Sequence, residues 1–228
     1  MLNALVRKSS VLLVALAVSA VTAAGETAHE LPPGYEEGLP ILRFKKDAAR
    51  DRGWLLTQNG VVVLELKTRR IIAEVSLPEW LWVGELYSCP PDLAVGPRGE
   101  ALISSNVVPT LWRVDPVSLA VTRHAPVIDA DTDRDVGFAG LVFSEAQGAF
   151  FAVSYFGSLW RIDPQLARAQ KIALSGEIRG ACAVAVRTGK QRFNRFFGLC
   201  VRGAEGGWTV NLAPDRRAGY VIAQPCTP

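Results

Sequence analysis

The chain repeats itself. Residues 111–116 read LWRVDP and residues 159–164 read LWRIDP, 48 positions apart. Looser copies stand at the same interval on either side: VLELKT at 63–68 lies 48 residues before the first, and TVNLAP at 209–214 lies 50 after the second. In this alignment Val63, Leu66 and Thr68 fall under Leu111, Val114 and Pro116, and Leu212 and Pro214 under Ile162 and Pro164. A short unit repeated in this way cannot bury its apolar surface alone and must stack on its neighbours. A period near 45–50 residues is the length of one four-stranded propeller blade.

Each unit reads internally as a meander. The second runs DLAVGPRG, EALISS, TLWRVD and LAVTRHAPV, and the third runs GLVFSEAQG, AFFAVS, SLWRID and ARAQKIAL. The first (ILRFKK, WLLTQ, VVVLELK, IIAEVSL) and the fourth (CAVAVRTG, FFGLCV, WTVNLA, GYVIA) keep the order with looser spelling. Short runs of Val, Leu and Trp punctuated by Gly, Pro, Asp and Asn are strands and turns. No stretch sustains a helical period. The expected fold class is therefore all-β: a four-bladed (or partial) β-propeller of four-stranded antiparallel blades, at about 39–77, 92–127, 140–174 and 181–223, in a repeat domain over 39–225. The repeated phrase becomes the third strand of a blade. Trp112 and Trp160 then pack between blades, and Asp115–Pro116 and Asp163–Pro164 form the turn that follows, since Asp bonds the backbone ahead of it and Pro presets φ.

Taken with the ALISSN and FFAVSY strands that precede them, LWRVDP and LWRIDP resemble the repeat of NHL, YVTN and gluconolactonase-like β-propellers. The resemblance covers roughly residues 39–223 and implies a propeller; its motifs specify fold, not activity. Those families usually carry six or seven blades. Four copies imply a ring that closes as a compact four-bladed propeller, or one that is completed by another chain, a homo-oligomer included.

The N-terminus speaks to compartment. Arg7 and Lys8 precede an apolar run from Val11 to Ala24, with small residues placed for cleavage. That run has the length of a signal-peptide core and is short for a membrane span. Residues 1–24 are expected to be a signal peptide and 25–38 a linker, which puts the protein outside the cell or in a periplasm. Cleavage would remove Arg7 and Lys8 and no acid, taking the formal charge from +3 to +1. So nearly neutral a chain gives no electrostatic case for nucleic acid or an anionic membrane, and no second apolar stretch is long enough to span one. Cys89, Cys182, Cys200 and Cys226 show no CxxC spacing, so disulfides are expected rather than zinc. A hairpin centred on residue 191 would set Cys182 opposite Cys200, leaving Cys89 to pair with Cys226.

Function is expected on the loops that join successive blades and those between second and third strands, because these share one face of a propeller and loops on a rigid scaffold carry binding. The stretch DADTDRDVG alternates Asp129, Asp131, Asp133 and Asp135 as the first half of a calcium loop does. Arg134 stands where such a loop needs Gly, and no Glu closes it, so a solvated acidic loop competes with calcium as the reading. Asn59, Glu85, Asp92 and Asn106 are polar candidates on the same face. A gluconolactonase-like mechanism would ask such groups to hold a metal that polarises a lactone; the positions equivalent to Asp92 are Gly140 and Ala181, which have no ligating side chain. Trp80, Trp82 and Tyr87 could stack on a sugar or grip a protein, or plug the ring's centre or the gap between the first two blades; Tyr155 is a further candidate on the same face. A Ser–His–Asp triad would have to rest on His124, with no G-x-S-x-G phrase in support. Arg192 and Arg195 mark a basic hairpin tip whose ordinary reading is a solvated turn. The expected function is an exported binding or interaction module taking a protein, small-molecule or carbohydrate ligand; the alternative is a small metal-dependent lactonase or hydrolase.

Overall fold

The computed structural model describes residues 41–83, 89–128, 137–178, 180–191, 194–203, 206–212 and 218–222. The expected signal peptide and linker lie outside them. Among the described residues seventeen strands follow in chain order. The first sheet holds β1 (Ile41–Asp47), β2 (Arg52–Thr57), β3 (Gly60–Glu65) and β4 (Ile71–Val75), and the second β5 (Leu93–Val95), β6 (Ala101–Ser104), β7 (Leu111–Val114) and β8 (Val121–His124). A two-residue strand β9 (Val127–Ile128) precedes the third set, β10 (Gly140–Ser144), β11 (Ala149–Val153), β12 (Leu159–Ile162) and β13 (Arg168–Leu174). The fourth set is β14 (Ala181–Gln191), β15 (Asn194–Gly203), β16 (Gly206–Leu212) and β17 (Ala218–Ile222). Within each set the strands pair antiparallel with their sequence neighbours. The four sets stand in a ring: a four-bladed β-propeller built from one chain, as the repeat implied.

LWRVDP and LWRIDP are both third strands, β7 and β12. Their tryptophans do the same work. Trp112 joins a core with Trp54, Leu56 and Val63 of the first blade, and Trp160 one with Ala94, Leu102 and Leu111 of the second. Each tryptophan thus buries its ring against the preceding blade, where a large aromatic surface contributes most. The aspartates make the turns: Asp115 Oδ1 accepts from the Val117 and Ser118 N–H groups at 2.9 and 2.8 Å, and Asp163 accepts from Ala167 and Arg168. Leu119 and Leu166 close these turns at φ +59 and +62, a conformation that costs a non-glycine residue. Leu166 is buried and Leu119 packs on the first core, so burial offsets that strain. The arginine of the phrase also has a use. Arg113 donates to the Pro164 carbonyl in the next copy, and Arg52 of the first blade donates to that of Pro116. The turn of one blade is thereby tied to a cation of the blade before it.

Two pairings are additional to the simple blade scheme. β9 adds to β13 in parallel (Arg168 opposite Val127), and β13 also pairs in parallel with β17 (Leu174 opposite Gly219), so the outer strands of the third and fourth blades join. Gly219 permits that approach, since a Cβ there would lie 2.9 Å from Leu174 Cδ2. A second close approach occurs at Gly157, at φ +97, where a Cβ would fall 1.4 Å from the Ile178 carbonyl oxygen. Gly157→Ala is expected to lower stability by about 2–4 kcal/mol in denaturant melts. Gly148→Ala is the control: φ is +55 but the space around it is open, so about 1 kcal/mol is expected.

The expected disulfide pairing is corrected. Cys182 bonds Cys89, with a Cα separation of 4.8 Å, and Cys200 is disulfide-bonded elsewhere; Cys226 lies outside the described residues. The hairpin is not centred where the sequence suggested. β14 and β15 are joined by two residues only, so Ala185, not Cys182, stands opposite Cys200, and a register irregularity between Ala181 and Ala183 takes Cys182 out of the ladder. Freed from the sheet, Cys182 reaches the connection between the first two blades.

Candidate functional site

Strand direction alternates within each blade, so the connections after β4, β9 and β13 gather at one end with the loops at 58–59, 105–110 and 154–158. This loop face carries most of the candidate residues. Asp92 sits just before β5 and is 2% exposed. Its Oδ1 accepts from Arg43 Nε at 3.1 Å and from the Leu93 N–H at 2.8 Å, and its Oδ2 accepts from the Leu141 N–H at 2.8 Å. Arg43 in turn donates to the Cys182 carbonyl at 3.2 Å. One ion pair therefore touches all four blades: Arg43 on the first, Asp92 on the second, Leu141 on the third and Cys182 on the fourth. Burial pushes the Asp92 carboxyl above the usual carboxylate range, against the opposing pull of Lys45, Arg43 and the two N–H groups. Both carboxylate oxygens are occupied by the protein's own donors, so the residue acts here as the staple of the ring.

Asn106 has a similar place. It is 9% exposed, and its Nδ2 donates to the Cys89 carbonyl at 2.8 Å, holding the disulfide-bearing connection onto the second blade. Gly137 packs against the backbone of Asn106, and the Phe138 N–H donates to the Ser105 carbonyl at 2.6 Å. Gly140 and Ala183 bring the inner strands β10 and β14 into contact, a Cβ on Gly140 lying 2.9 Å from Ala183 Cα. The inner strands are thus stitched by a disulfide, an ion pair and backbone contacts.

Trp80 takes the plugging position. Its ring meets Trp112 edge-on, with centroids 5.2 Å apart, and its Nε1 donates to the Gln58 carbonyl at 2.9 Å. Trp82 is half-buried, Asn59 is exposed, and Tyr155 is half-buried with its ring edge-on to Phe156 at 5.3 Å. Glu85, Tyr87, Asp129, Asp131, Asp133 and Asp135 lie outside the described residues. Among the described residues no three His, Cys, Asp or Glu side chains group as a metal would need. His124 sits on the outer strand β8 with the Thr122 hydroxyl 3.0 Å from its Nε2; desolvation, then Arg113, lower its pKa.

Sequence reasoning passed over what this face exposes. Leu81, Val108 and Phe156 are 69%, 44% and 67% exposed. They stand on three different loops of the same end: the connection after β4, the loop between β6 and β7, and the loop between β11 and β12. Beside Phe156 opens a groove of about 600 Å³, reaching Ile172 and Leu174 on β13 and Glu177 and Ile178 beyond it. Large apolar residues at loop tips, where turns are normally polar, were the available signal.

No protein-family model matches the sequence, and no curated protein does. Among solved structures, the WD40 repeats of RRP9 align with a TM-score of 0.54 at 9% identity, over 82% of this chain and 52% of that one. Dihydro-heme d1 dehydrogenase NirN in complex with DHE aligns with a TM-score of 0.52 at 16% identity, over 81% and 36%. The Malassezia sympodialis allergen Mala s 1 aligns with a TM-score of 0.47 at 12% identity, over 82% and 79%. The chain thus spans about half the length of the RRP9 structure and about a third of NirN. At 9% and 16% identity, the likeness to the RRP9 and NirN structures is one of β-propeller fold.

Proposed function

We propose that this chain is an exported interaction module, a propeller with an NHL- and YVTN-like repeat that docks a protein partner on its loop face. The observation that carries the reading is the exposure of Leu81, Val108 and Phe156 on three loops of one end. Large apolar side chains on three loops of one end give a partner several anchor points on a single face. Trp82 and Tyr155 beside them supply the aromatic surface that interface centres favour. The groove next to Phe156 offers a partner side chain somewhere to go. The framework beneath is disulfide-bonded and ion-paired, so little ordering has to accompany binding. Export is supported by the disulfides, which persist in oxidising compartments, and by the signal-like N-terminal sequence.

A photo-cross-linking side chain placed at 81, 108 or 156 should trap one common protein species from the native envelope. The same group at Val117, which is 88% exposed on the turn after β7 at the opposite end, should not. Phe156→Ser is expected to weaken capture at least tenfold while leaving the melting temperature unchanged, since truncating an interface anchor costs affinity, not fold. Equal trapping from Val117, or a different species from each loop, would reject this face as the docking surface.

A further inference from the structure

At the end away from the loop face, two turns of the first blade lie together: the one joining β1 to β2 and the one joining β3 to β4. The Leu66 N–H donates to the Asp51 carbonyl at 2.9 Å, and Lys67 stands 3.8 Å from the Asp51 carboxylate. Residues 46–52 read KDAARDR and residues 65–70 read ELKTRR. These 13 residues hold six bases and three acids. The whole chain has 25 bases and 22 acids, so 19 of each remain elsewhere. The net charge of +3 thus belongs to this one corner, and a small total conceals a cationic end on the first blade.

The bases are turned out and the acids in. Three pairs have this form: Arg50 with Asp47 at 3.1 Å, Lys67 with Asp51 at 3.8 Å, and Arg98 with Glu100 at 3.6 Å. The basic side chains are 41, 82 and 71% exposed, and their acidic partners 6, 30 and 3%. Arg98 belongs to the β5–β6 turn of the second blade, which packs on this corner: a Cβ on Gly99 would lie 2.5 Å from Asp47 Oδ2. Lys46, Arg69 and Arg70 are exposed as well. The third acid, Glu65, accepts from the Thr68 hydroxyl, and Glu74, the next along the chain, lies toward the loop face. Aliphatic groups stand among these cations. Ile71 and Ile72 follow Arg70 directly, and both are exposed. Val117, the most exposed of the large apolar residues described, sits on the turn whose Pro116 carbonyl accepts from Arg52.

We propose that this end of the first two blades docks the protein onto an anionic lipid surface. Cations beside exposed aliphatic groups are the chemistry of the headgroup boundary: the bases meet lipid phosphates, and the aliphatic groups enter the apolar layer beneath. The inward turn of the carboxylates matters because potentials decay over a Debye length of about 8 Å at physiological salt, so the outermost charges govern what a bilayer meets. A nucleic acid or other soluble polyanion would use the cations but has no use for Ile71, Ile72 and Val117. Docking through this end leaves the loop face turned away from the bilayer, so the inference stands apart from the reading of that face.

The test is flotation of the protein, purified from its own host, with vesicles of phosphatidylcholine alone and with added phosphatidylglycerol. Binding is expected only to the anionic vesicles, and it should fall steeply between about 50 and 500 mM salt. Each basic residue near such a surface contributes about fivefold, so Lys67→Gln with Arg70→Gln should weaken binding roughly 25-fold. Ile72→Ser with Val117→Ser, which alters no charge, should weaken it roughly tenfold. All four positions are exposed, so neither variant should shift the melting temperature by more than about 2 °C. No binding to the anionic vesicles, equal binding to both vesicle types, or either variant binding like the parent overturns the proposal. A duplex oligonucleotide bound as tightly as the anionic vesicles would overturn the lipid assignment in favour of a general polyanion site.

Discussion

A Cys89→Ala/Cys182→Ala double variant should melt roughly 10–18 °C below the parent chain. The bond joins positions 93 residues apart, and closing a loop near 100 residues stabilises by about 4–5 kcal/mol through the entropy it removes from the unfolded chain. The native side adds to this. Cys89 lies in the connection between the first two blades, Cys182 begins the fourth, and the Asn106 side chain is bonded to the Cys89 carbonyl. Losing the bond therefore loosens the seating of that connection as well as lengthening the accessible unfolded chain. The change should be as large in calorimetry as by fluorescence, because one cooperative ring is involved. A shift below about 3 °C would show that packing alone holds the ring. Non-reducing peptide mapping provides an independent check: a fragment joining Cys89 to Cys182 must be found.

Legibility of this molecule in its sequence divides by distance. What depends on neighbours along the chain was readable: the 48-residue period, the third-strand position of LWRVDP and LWRIDP, the Asp–Pro turns, and the packing of Trp112 and Trp160. These follow from strand alternation and turn chemistry, which act over a few residues. The disulfide pairing depended on a register, and register is sensitive to single residues. A two-residue connection between β14 and β15 sets Ala185 opposite Cys200, three positions from Cys182, and a separate irregularity takes Cys182 out of the ladder. Arg43 carried no signal at all, because its meaning comes from Asp92 and Cys182, 49 and 139 residues away. Asp92 stands out in the sequence as a polar candidate, but its three partners, Arg43, Leu93 and Leu141, belong to the protein itself. Phe156, Leu81 and Val108 sit among the polar residues of their loops, and only the fold shows that they are exposed on one face.

Removing Asp92 should be as damaging as removing the disulfide. Asp92→Ala is expected to cost about 3–5 kcal/mol, because it leaves the partly buried Arg43 guanidinium and the buried Leu93 and Leu141 N–H groups without their acceptor. Arg43→Ala should cost somewhat less, about 2–3 kcal/mol, since the two N–H donors still face the carboxylate. The double variant should fall short of the sum, the shortfall being the coupling between them. That coupling is not the net worth of the pair. Desolvation raises the Asp92 carboxyl above its ordinary value of 3.8, with Lys45 and Arg43 pulling the other way. A folded carboxyl that holds its proton more readily than the unfolded one stabilises the fold on the acid side. Its contribution is complete below the unfolded value and is lost as pH rises through the folded one. Asp92 is therefore not where acid unfolding begins. Comparing the parent with Asp92→Asn across pH 3 to 8 by urea melts isolates this term, because asparagine keeps an acceptor and the shape but does not titrate. The stability advantage of the parent should shrink as pH rises. An advantage that instead grows with pH would mean that Arg43 and the backbone donors outweigh burial, and that the centre of the ring is held by a net-favourable ion pair.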